Sequence, residues 1–97
     1  MSASKQDLIN RVTEAAIDVV HADNAFRAAR AVVRSQFDDF FRENGRPEGP
    51  FLPYAPEFRE AVLYTAVANR KRAQARNVLK NAKARMERAV RALERAV

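Results

Sequence analysis

Apolar residues recur along most of this chain in steps of three and four. From Ala61 onward every seventh residue is alanine: Ala61, Ala68, Ala75, Ala82, Ala89 and Ala96. Three residues before each lies a second column, Phe58, Thr65, Arg72, Leu79, Met86 and Leu93, which is mostly large. A small residue at one core position and a large one at the other is a heptad seam, and a seam held this long predicts a long helix packed on another helix. The first half carries its counterpart: Leu8, Val12, Ala15, Val19, Ala22, Phe26, Ala29, Val33, Gln36 and Phe40, with steps alternating four and three without a slip. Small residues every seventh position let two backbones approach closely, and the large column fills the space beside them.

The boundaries follow from local chemistry. Ser4 with Asp7 three residues on forms a capping-box-like start. Asn44-Gly45 is a stop, with glycine available for the left-handed position past the end. Pro56 suits the first turn of a second helix, with Glu57 and Glu60 favourable to its dipole. The sequence therefore predicts one helical domain over 1–97, with a helix over 4–44, a proline-rich loop over 45–55 and a helix over 56–97. Each helix would be ~60 Å long at the α-helical rise. Matched lengths and one short connection predict an all-α, antiparallel helical hairpin. The alternative is a three-helix bundle in which the first helix breaks near Asp23.

The first helix also carries adjacent apolar pairs: Leu8-Ile9, Ala15-Ala16, Val19-Val20, Ala28-Ala29, Val32-Val33 and Phe40-Phe41. Pairs on successive turns widen the apolar face beyond what one partner helix covers. The hairpin is therefore expected to dimerise into a four-helix bundle. In the loop, prolines at 47, 50, 53 and 56 repeat with the polyproline II period. A stiff strap plugging the open end of the hairpin, with Phe51, Leu52 and Tyr54 as its contact residues, ranks ahead of a ligand for an SH3-like groove.

Charge changes the picture in the second half. The net charge is +6, yet residues 1–44 hold six basic and seven acidic side chains, while 57–97 hold eleven basic and four acidic. No acid occurs between Glu60 and Glu87. Such asymmetry points to an acidic partner, either a protein surface or nucleic acid. Arg70, Lys71, Arg76, Lys80, Lys83 and Arg85 are the candidate binding residues. They are distributed around the helix, with no helix-turn-helix and no aromatic in 69–85 to stack on bases. His21, Asp23 and Asn24 on the first helix and Arg72 in the large column of the second form a polar belt across an otherwise apolar seam. Such a belt sets register at some cost in stability.

Candidate chemistry is thin. The chain has no cysteine and one histidine, which excludes thiolate metal sites and a Cys–His nucleophile. It has no Gly-rich phosphate loop and no metalloprotease helix motif. No catalytic residue, metal ligand, cofactor or small-molecule substrate is implied. The N-terminal residues lack a signal-peptide pattern and no stretch is long and apolar enough to span a bilayer, so a cytoplasmic protein is expected. These observations predict a non-enzyme: a helical interaction or regulatory protein that forms a homodimer and binds a partner protein. Its size also suits a phage-borne modulator of a host factor. The alternative is a weakly sequence-specific nucleic-acid-binding protein using the basic middle of the second helix.

Overall fold

The computed structural model describes residues 4–97, and every regular element among them is helical. Helix α1 spans Lys5–Asn44, a 3₁₀ turn spans Pro56–Phe58, α2 spans Arg59–Tyr64, and α3 spans Ala66–Ala96. The start of α1 is the capping box its sequence announces: the Asp7 backbone N–H donates to Ser4 Oγ at 3.1 Å, and the Ser4 N–H donates to Asp7 Oδ2 at 3.4 Å. Its end is set by Gly45, whose φ of +80° is the left-handed geometry and whose N–H reaches the Phe41 carbonyl at 2.9 Å. Helix α1 runs unbroken through Asp23, so the three-helix alternative is excluded. Asp23 and Asn24 do not cap a new helix there, because the uninterrupted seam packs Val19, Ala22 and Phe26 on one face.

The chain divides into two compact units. One combines the part up to Phe26 with Ala75–Val97; the other is Arg27–Gln74. In the first unit the core is Ala22, Leu79 and Ala82, with Val19 and Phe26 packed against it. Further along, Ala15 lies beside Ala89 and Ala92. As α1 advances its neighbours on α3 recede, so the two segments are antiparallel. Ala82 is fully buried, which places it where two backbones come close.

The second unit is built on aromatic rings. Phe58 is 1% exposed and meets Phe41 and Phe51 edge-on at centroid distances of 6.2 and 5.0 Å. Phe51 also meets Phe37 at 5.1 Å, and Phe40 meets Tyr64 at 5.5 Å. Edge-to-face contacts of this kind add to simple area burial. The Arg46 guanidinium lies over Phe41 and Phe58 at 5.7 and 5.9 Å and donates to the Gly49 carbonyl at 3.1 Å. The connection is therefore tied to the helices it joins.

Two expectations need correction. The second helix is not continuous from 56 to 97: α-helix ends at Tyr64 and resumes at Ala66. Thr65, fully buried, has ψ near 3°, and its hydroxyl turns back on the carbonyls of Ala61 and Val62 at 3.1 and 3.2 Å. Back-bonding of this kind bends helices. The same oxygen accepts from Asn69 Nδ2 at 3.1 Å. Thr65→Val keeps the shape and strands that amide, so it is expected to lower stability by about 1 kcal/mol. Urea unfolding followed by circular dichroism measures this, and an unchanged midpoint would remove the hydroxyl from the account. Nor is the loop one polyproline edge. Gly49 adopts φ +90°, and a turn closes from the Ala55 N–H to the Leu52 carbonyl at 3.0 Å.

Candidate functional site

The seam positions of α1 from Leu8 to Phe40 are all buried or half-buried. Along the second half the alanine column is buried at Ala61, Ala68 and Ala82, and the large column at Phe58, Thr65 and Leu79. Ala96, at the end of α3, is exposed, and so, in the interior of the seam, is Arg72. Arg72 stands at a core place of the heptad. A guanidinium loses several kcal/mol if buried unpaired, and its long stem lets the charged head reach water instead. Arg72 is thus not a buried lock. Of the other belt residues, His21 and Asn24 are exposed and Asp23 is half-buried.

All six candidate basic residues are exposed, but only some are brought together. Arg76, Lys80 and Lys83 follow one another at steps of four and three, so they form one ridge of α3. With Phe26, Leu79, Ala84 and Glu87 they line an open groove of about 500 Å³ in the first unit. Its apolar lining is Leu79, which is buried, with Phe26 and Ala84, which are half-buried. No hydrogen bond or ion pair among the described residues engages Arg76, Lys80 or Lys83, whereas Glu87 lies 4.0 Å from Arg91. Arg85 points to a different depression, with Arg11, Glu14, Asp18 and Arg88. Arg70 and Lys71 belong to the second unit. The basic stretch is therefore sorted by the fold, and the sequence signal that could have found the groove is the 76, 80, 83 spacing flanking Leu79.

At the connection, Phe51 is spent on the aromatic cluster, while Leu52 is exposed and Tyr54 is 89% exposed. Tyr54 lines a shallow pocket with Pro53, Pro56, Arg59, Val62 and Leu63. Sequence reasoning passed over Leu63, Tyr64 and Val67, which are exposed apolar residues of the second unit.

Among the described residues no three His, Asp or Glu side chains converge as a metal site, and no helix is long and apolar enough to cross a membrane. No family model, curated protein or solved structure matches the chain.

Proposed function

We propose that this chain is a non-catalytic interaction protein that self-associates and binds a partner protein. The observation that carries the reading is the second apolar face of α1. Ile9, Ile17 and Val20 are exposed, with Val20 at 57%; Ile9 and Val20 adjoin the seam residues Leu8 and Val19, and Ile17 lies on the side away from the seam. Steps of eight and three return to one side of a helix, so these residues form a stripe with Ala16 at its edge.

A second copy laid along the stripe completes the four-helix arrangement that the paired apolar positions predict.

Sedimentation equilibrium at micromolar concentration tests this directly. The protein is expected to be a dimer, and Ile17→Glu with Val20→Glu is expected to yield a folded monomer. A wild-type chain that is monomeric throughout the micromolar range removes self-association from the reading. The competing reading, nucleic-acid binding through α3, rests on the acid-free run between Glu60 and Glu87. It predicts a gel shift at low salt that fades steeply as salt rises.

A further inference from the structure

We propose that the groove along Arg76, Lys80 and Lys83 docks an acidic amphipathic helix of a partner protein; this deepens the partner-binding half of the reading above and rests on it.

The groove has two chemistries side by side. Phe26 and Leu79 form its apolar side, and the three cations of the α3 ridge project between Leu79 and Ala84. From Arg76 to Glu87 the ridge extends about 16 Å, roughly three helical turns. A helix laid there buries apolar residues at positions i, i+3, i+4 and i+7 against the apolar side and aims its flanking carboxylates at the cations. Glu87 ends the cationic run, and its carboxylate favours a basic residue at that end of the partner. The order of charges therefore specifies the direction in which the partner lies, as well as its sign.

Two other occupants fit less well. A second copy offers two kinds of helix: its 75–97 segment carries seven basic residues against Glu87 and Glu94, so like charge opposes it, and its residues 1–44, with six basic and seven acidic side chains, lack the acidic excess that three cations select. A nucleic-acid strand would satisfy the cations but meet Glu87 with phosphate, and its sugar-phosphate edge gains nothing from the apolar side. Only one aromatic, the half-buried Phe26, lines the groove.

The test uses the full chain and fluorescence anisotropy with three labelled probes. One is an amphipathic helical peptide of about four turns, with leucine on one face and glutamate flanking it. The second has the same leucines and lysine in place of glutamate. The third is a short DNA duplex. The glutamate peptide is expected to bind, and Lys80→Glu with Lys83→Glu is expected to weaken it at least about tenfold. The same variant is expected to gain affinity for the lysine peptide, a reversal that general loss of structure would not produce. Circular dichroism melts establish that the variant is folded. Failure of the glutamate peptide to bind overturns the proposal, as does binding that ignores the charge reversal. Duplex binding that depends on Lys80 and Lys83 while the peptide stays unbound reassigns the groove to nucleic acid. Sedimentation of the same samples keeps the two readings separate. A dimer that ignores the peptide sinks the docking proposal alone, and a monomer that binds it sinks self-association alone.

Discussion

Phe58→Ala is expected to destabilise the protein by about 3–5 kcal/mol, the range for removing a large aromatic from a packed site. Phe58 is 1% exposed and sits at the centre of the second unit's rings. Truncation removes its edge-on contacts with Phe41 and Phe51, and the surface on which the Arg46 guanidinium rests. Collapse into the cavity is restricted, because Phe51 is anchored on Phe37 and the Leu52–Ala55 turn is closed by a hydrogen bond. A loss of this size is a large fraction of the ~5–10 kcal/mol available to a domain this small. Urea unfolding with circular dichroism measures it. Phe51→Ala is the comparison: Phe51 is 37% exposed, so the cost should be about half as large or less. Equal losses at the two positions would show that Phe58 is not the keystone.

Ala82→Leu is expected to cost about 2–3 kcal/mol through overpacking. Ala82 has 0% exposure in the cluster with Ala22 and Leu79, and Val19 and Phe26 close the remaining space. Leucine and alanine differ little in helix propensity, so the loss isolates packing from backbone preference. Ala73→Leu supplies the control, because Ala73 lies in α3 and is exposed. It should change stability by no more than about 0.5 kcal/mol. If Ala82→Leu proved equally neutral, α1 and α3 would not be closely packed at Ala22, and the small-residue column would be compositional only.

Much of the fold was legible before any coordinates. The capping box at Ser4, the stop at Gly45 and the buried faces of both heptad columns follow from residues within one or two turns of each other. The candidate site was legible only as a list. Six of the seven basic residues between Glu60 and Glu87 were apparent as candidates, but the sequence treats them alike. Their grouping depends on which side of the seam each falls and on what lies opposite. Arg76, Lys80 and Lys83 matter because Phe26, fifty residues earlier in the chain, contributes apolar lining beside them.

By itself the sequence determined the all-helical class, the ends of α1 and most of the positions that become core, because cap chemistry and heptad spacing act through neighbours within a few residues. Tertiary structure decided the rest. It interrupted the second helix at Thr65, where burial made a hydroxyl look to the carbonyls of its own helix for a partner. It turned Arg72 out of a core place, because desolvating an unpaired guanidinium costs more than a gap in the seam. It also laid Arg46 over two aromatic rings, where only the folded connection places a cation. In each case the outcome depended on what the fold set against the residue, which no local pattern encodes.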